Sequence, residues 1–82
     1  MNVREAVGWA KKAAEKSERD PMILDTLANL LWLSGQRDDA IKTETEAAGK
    51  AEADHKAEFE ALVAKWTAEV AAMNAKKAAS AK

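Results

Sequence analysis

The sequence predicts an all-α protein, and three observations lead to that prediction. Alanine, which has the highest helix propensity, supplies 20 of the 82 residues. Strand-forming residues are scarce, with one phenylalanine and no tyrosine. Apolar residues recur at spacings of three and four, the period of an amphipathic helix. We therefore expect one domain of residues 1–75, with helices at 3–18, 21–34, 37–50 and 55–74, followed by a frayed basic tail at 76–82.

The first two helices carry clear start and stop signals. Asn2 is a good N-cap, and Glu5 occupies the acidic position of a capping box. Asp20 and Pro21 predict the start of the second helix, because proline suits the first helical position, where its missing N–H costs nothing. Gly35 predicts that this helix ends in the left-handed conformation. The second helix is apolar around most of its circumference, which is typical of a central helix.

The third and fourth helices are predicted from charge and apolar spacing. Asp38 and Asp39 complement the positive N-terminal end of the third helix, and adjacent helical residues do not face each other, so they do not form an acid/base pair. No proline enforces a break after Gly49, so the boundary between the two helices stays open at this stage. The fourth helix carries one face of large apolar residues: Phe59, Leu62, Val63, Trp66, Val70 and Met73.

A weak internal repeat relates the first helix to the third. An acid, an alanine and an aliphatic residue, followed by paired alanines, occur at 5–14 and again at 39–48. The two segments are 34 residues apart, and a fixed period of this size is the signature of helical repeat proteins.

Residues 21–54 resemble the tetratricopeptide (TPR) repeat family, whose unit is a 34-residue pair of antiparallel helices. The resemblance rests on small and aliphatic residues, namely Leu24, Leu27, Ala28, Gly35, Ala40, Ile41 and Ala47. It implies a TPR-like helical hairpin within a solenoid of about four helices, with residues 3–20 as half of a preceding repeat and the fourth helix as a cap. Glu44 stands where the family usually has an aromatic residue. Residues 24–41 are also similar to TPR tails that follow thioredoxin-fold domains in some bacterial proteins.

The resemblance implies a protein–protein interaction module that binds a peptide or helix of a partner. Ligands of the family usually lie against the first helix of each unit, which here would present Met22, Asp25, Asn29 and Trp32. Asn29 matches the asparagine of the family's carboxylate clamp, but Asp25 stands at the lysine position and would repel a carboxylate. A clamp is therefore disfavoured. Trp32 either anchors a ligand or is covered by the fourth helix or a neighbouring unit.

Two alternatives to partner binding remain open. Without a preceding helix, Val3, Val7 and Trp9 would leave an apolar surface on which a second copy of the chain could dock. A further possibility is that the chain is a small helical bundle, natural or designed, that has no ligand.

Composition argues against several other classes of function. Thirteen basic and fourteen acidic side chains nearly cancel, so we expect no nucleic-acid partner. Cysteine is absent, His55 is the single histidine, and no serine has a plausible base beside it, so we expect no enzyme, no metal site and no cofactor. The longest apolar run, residues 30–33, is far too short for a membrane span. We expect the fourth helix to pack on the core and not to dock on a membrane surface, and the sequence leaves the cellular location open.

Overall fold

The computed structural model describes residues 2–80, with side chains for residues 2–75, and within this range the chain is all-α, as predicted. Its four helices pack against each other in chain order, and no strand occurs among the described residues. The short connections make neighbouring helices antiparallel. The helices are α1 (Val3–Lys16), α2 (Pro21–Leu33), α3 (Arg37–Lys50) and α4 (Ala53–Ser80).

The predicted helix starts are confirmed for α1 and α2. The backbone N–H of Glu5 donates to Oδ1 of Asn2 at 2.8 Å. The backbone N–H of Met22 donates to Oδ1 of Asp20 at 2.9 Å, and Pro21 is the first residue of α2. Each cap satisfies a backbone donor that the helix itself cannot pair.

α1 and α2 end in the same way, with two backbone bonds that close the last turn. After α2, Gly35 has φ 89°, and the N–H of Gln36 donates to the carbonyl of Leu31 at 2.9 Å. After α1, Glu18 has φ 57°, and the N–H of Arg19 donates to the carbonyl of Ala14 at 2.7 Å. This arrangement is a Schellman motif, and it ends α1 at Lys16, two residues before the predicted end.

The core is built around α2, which contributes leucines, while α1 and α3 contribute mostly alanines. Alanine lets neighbouring backbones approach closely, so the leucines of the central helix fill the space between them. α4 closes the core with two aromatic side chains. The buried apolar residues are Val7, Ala10, Ala14, Leu24, Leu27, Ala28, Leu31, Ala40, Ala47, Ala48, Phe59 and Trp66.

α3 and α4 are separated by a clear break, although neither proline nor glycine imposes it. Ala51 adopts an extended conformation, with φ −71° and ψ 150°. The carbonyl of Glu52 then accepts the N–H groups of His55 and Lys56, so α4 starts at Ala53, two residues earlier than predicted.

α4 continues to Ser80, past the predicted end at residue 74, because its C-terminal residues are strong helix formers. Its 28 residues span about 42 Å at a rise of 1.5 Å per residue, which accounts for most of the 47 Å long dimension of the molecule. Residues 81 and 82 of the predicted basic tail lie outside the described residues.

One ion pair ties the α1–α2 connection to α3. The guanidinium of Arg19 donates to both carboxylate oxygens of Glu46, with 2.7 Å between Nη2 and Oε1. Arg19 keeps the pKa of the Glu46 carboxyl below its usual range, mainly through this hydrogen bond. Both side chains are partly exposed, so we expect the pair to contribute no more than about 1 kcal/mol.

The two Schellman motifs give a test of backbone strain. Glu18 occupies the left-handed position that Gly35 fills after α2, and a side chain there costs about 1 kcal/mol. We expect Glu18→Gly to raise the free energy of unfolding by up to about 1 kcal/mol in urea titrations. The matched change Gly35→Ala should lower it by a similar amount, and a destabilised Glu18→Gly variant would contradict this explanation.

Candidate binding surface on the second helix

The four residues predicted to bind a partner lie on α2 but do not form one open groove. Met22 is 48% exposed, and Asn29 is also exposed. Asp25 and Trp32 are half-buried at the flank of the helix that faces α3 and α4. The structure therefore divides the predicted set into two outward residues and two that contact other helices.

Trp32 packs against α4. Its ring stacks on that of Trp66, with 4.8 Å between ring centroids and 4° between the planes. The guanidinium carbon of Arg37 also lies 5.2 Å from the centre of the Trp32 ring, a distance that allows a cation–π interaction. Of the two expected roles of Trp32, the geometry favours cover by α4, and it makes the side chain a structural link between α2 and α4.

Asp25 and Asn29 are joined within α2. The Nδ2 group of Asn29 donates to the backbone carbonyl of Asp25 at 2.8 Å and to its Oδ1 atom at 3.3 Å. The amide thus covers part of the Asp25 carboxylate on the solvent side. The second bond is long and exposed, so an external donor can compete for this oxygen.

Glu44 of α3 is a functional candidate that the sequence predictions did not include. It is 0% exposed, and neither of its carboxyl oxygens has a hydrogen-bond partner among the described residues. A buried carboxyl group without a partner is costly, so its presence needs an explanation. The signal was present in the sequence, because Glu44 stands where the resemblance expects an aromatic residue.

The carboxyl groups of Glu44 and Asp25 face each other between α3 and α2. Burial is the main cause that raises the pKa of Glu44, to about 9, and the adjacent Asp25 raises it further. Two ionised carboxylates cannot hydrogen-bond, since neither has a donor. A proton on Glu44 supplies that donor, so at neutral pH we expect one proton to be shared between the two side chains.

The outward face of α2 carries an apolar residue that the predictions also omitted. Leu33 is 70% exposed and lies four residues after Asn29 and eleven after Met22, so the three share one side of the helix. The i, i+7, i+11 spacing could have identified it. We refer to Met22, Asn29 and Leu33 as the outer α2 line.

The predicted self-association residues differ in their exposure to solvent. Trp9 is 68% exposed and Val3 is also exposed, but Val7 is 5% exposed and belongs to the core. Including Val7 in a free surface was therefore wrong: its position on α1 points it towards α2, where it packs in the same cluster as the leucines of that helix. Trp9 lies off this stripe, which leaves its indole in solvent.

Two cavities flank the central helix. The larger, of about 420 Å³, lies between α1 and α3 over Leu27 and Leu31, with a rim of mixed charge that includes Lys11 and Asp39. The smaller, of about 200 Å³, lies beside Met22 and is bordered by Asp20, Glu52 and His55. The second cavity therefore adds acidic groups next to one end of the outer α2 line.

Among the described residues, no group of three histidine, aspartate or glutamate side chains could hold a metal ion. His55 is exposed, with its Nδ1 atom 3.8 Å from the Glu58 carboxylate. No helix within the described part of the chain is long and apolar enough to cross a membrane. Comparisons with protein-family models, curated proteins and solved structures find no match to this chain.

The shared proton predicts how stability depends on pH. The pKa of Glu44 is higher in the folded state than its ordinary value of 4.5, so its stabilising contribution is complete below pH 4.5 and is lost as pH rises towards 9. We expect the free energy of unfolding to fall over this range, by at most about 1.4 kcal/mol per pH unit.

The variant Glu44→Gln keeps the shape and a donor for Asp25 but cannot titrate. We expect its unfolding free energy, measured by urea titration from pH 5 to 9, to be much flatter than that of the wild type. Glu46 does not affect the slope between pH 5 and 9. Its pKa is lowered, so its contribution to the free energy of unfolding changes only below pH 4.5. Parallel curves for both proteins would contradict the shared proton.

Proposed function

We propose that this chain is a TPR-like interaction module that binds a peptide or helix of a partner protein along α2, without catalysis. One observation carries the proposal: α2 is the central helix of the fold, yet it leaves Met22 about half exposed and Leu33 70% exposed on the side that bears Asn29. Large exposed apolar side chains aligned on one helix are typical of interaction sites. A partner helix would bury its apolar face there, and Asn29 would fix its register.

The pattern of burial supports a TPR-like arrangement. Five of the seven residues on which the resemblance rests are in the core: Leu24, Leu27, Ala28, Ala40 and Ala47. Glu44, which takes the place of an aromatic residue, is buried as well. The short α2–α3 connection and the contact of α3 with α4 also suit a repeat followed by a capping helix.

Uncharged substitutions can test whether the outer α2 line binds a partner. Peptides that bind the wild-type chain can be selected from a displayed library, and their affinity for Leu33→Gln measured by fluorescence polarisation. We expect a loss of about tenfold, since a buried leucine contributes about 1.5–3 kcal/mol. Met73→Gln changes another exposed apolar residue, on α4 and away from the outer α2 line, and should leave the affinity unchanged.

Circular dichroism should be the same for both variants and the wild type. Equal affinity of the wild type and Leu33→Gln for every selected peptide would refute binding along α2. Trp32→Ala is unsuitable for this purpose, because it removes the stack on Trp66 and would weaken the fold itself.

Self-association through α1 is a second candidate, favoured by the exposure of the Trp9 indole. If copies of the chain dock there, molar mass from light scattering should rise with concentration, and Trp9→Glu should stay monomeric throughout the same dilution series. A wild-type chain that is monomeric at all concentrations would exclude this candidate. Val7→Glu is not informative, because it places a charge in the core.

A further inference from the structure

From the placement of Asp25 and Glu44, we infer that the partner presents a lysine or arginine side chain, which binds at the carboxyl pair beside the outer α2 line. The inference rests on the proposed function and specifies the chemistry of its ligand. The site consists of the half-exposed Asp25, the buried Glu44 behind it, and the amide of Asn29 above.

The chemistry of the pair favours a cation. Glu44 is completely buried, directed at Asp25, and its oxygens have no donor among the described residues. Ammonium and guanidinium groups supply several donors and a positive charge, which are what two adjacent carboxylates lack. An anionic ligand would be repelled, and an apolar ligand would cover the Asp25 carboxylate without offering it a donor.

The residues whose side chains are described do not supply this cation. Arg37 lies on the same side of α3 as Glu44, seven residues before it, but its guanidinium lies over Trp32 and forms no salt bridge among the described residues. The charge that acts on Glu44 comes from Asp25 on α2, while α4 contributes the apolar side chains of Phe59 and Trp66 to the core.

Binding exchanges a proton for the cation. In the free chain, Glu44 carries the proton and donates it to the Asp25 carboxylate. When the ammonium or guanidinium group approaches Asp25, the proton leaves Glu44 for solvent, and both carboxylates then face one positive charge. The pair then carries two negative charges, and the bound cation brings the net charge of the site back to minus one, so the exchange avoids placing a second uncompensated charge in the interior.

Acidic groups near the carboxyl pair also favour a cationic ligand. The cavity beside Met22 is bordered by Asp20 and Glu52, so acidic groups continue along the N-terminal part of α2. A partner segment that alternates basic and apolar residues would match both these acids and the exposed Met22 and Leu33. Such a segment is complementary to the surface in charge as well as in hydrophobicity.

Three peptides of identical apolar pattern test the inference by calorimetry. All are acetylated and amidated helical peptides of leucine and alanine that carry lysine, glutamine or glutamate at the same three positions. We expect the lysine peptide to bind at least tenfold more tightly than the glutamine peptide, and the glutamate peptide not to bind. Titration at pH 7.5 in phosphate and in Tris should show release of about one proton per bound lysine peptide.

Variants of the acidic pair provide the decisive comparison. Asp25→Asn and Glu44→Gln should each weaken binding of the lysine peptide at least tenfold, and Glu44→Gln should abolish proton release. Asp39→Asn removes an exposed acid from α3 on the side of the other cavity and should change neither quantity. Asp25 is half-exposed, so its substitution leaves the fold intact, which circular dichroism checks.

The outcomes separate this inference from the proposed function. Equal binding of the lysine and glutamine peptides, or lysine binding that Asp25→Asn does not change, would overturn the inference and leave apolar binding along α2 intact. Lysine-peptide binding that depends on Asp25 but not on Leu33 would support the inference and refute the proposal that a partner binds along the outer α2 line. Failure of all three peptides to bind would overturn both.

Discussion

The fold depends on covering one helix. α2 is apolar on most of its circumference, and it cannot be exposed to water on more than one side. α1 and α3 solve this by presenting alanines, which allow close approach of the backbones, and α4 adds Phe59 and Trp66 where the alanines leave space. The stack of Trp66 on Trp32 then links α4 to α2, on the other side of α3.

The same constraint buries the position that Glu44 occupies. Glu44 occurs on the face of α3 that packs against α2, between the buried alanines Ala40 and Ala47. An apolar residue there would have completed the core more cheaply. Sequences commonly depart from local packing rules at functional sites, and Glu44 is the clearest such departure in the described part of the chain.

The local features of the fold were readable from the sequence because each depends on neighbours in the chain. Asn2, Asp20 and Gly35 act through backbone groups two or three residues away, so their positions alone indicate the helix boundaries. Glu18 was not readable in this way. Its left-handed conformation is set by the closing of α1 onto α2, since glutamate has no preference for it.

The candidate site was only partly predictable, because it depends on which helices meet. Helical spacing placed Asp25 and Asn29 on an outward face, but spacing cannot show that Glu44 lies opposite Asp25 or that Trp66 covers Trp32. Val7 illustrates the same limit. The prediction that Val7 is exposed assumed that only a preceding helix could cover it, but α2 alone buries it.

The length of α4 has a consequence for how the molecule opens. Residues 71–75 are exposed around the whole helix, so this segment is held by backbone hydrogen bonds and the propensity of alanine. Unwinding it therefore breaks no core contact, whereas unwinding α4 at Trp66 would expose the Trp32 ring. We therefore expect residues 71–75 to unwind and re-form without disturbing the core.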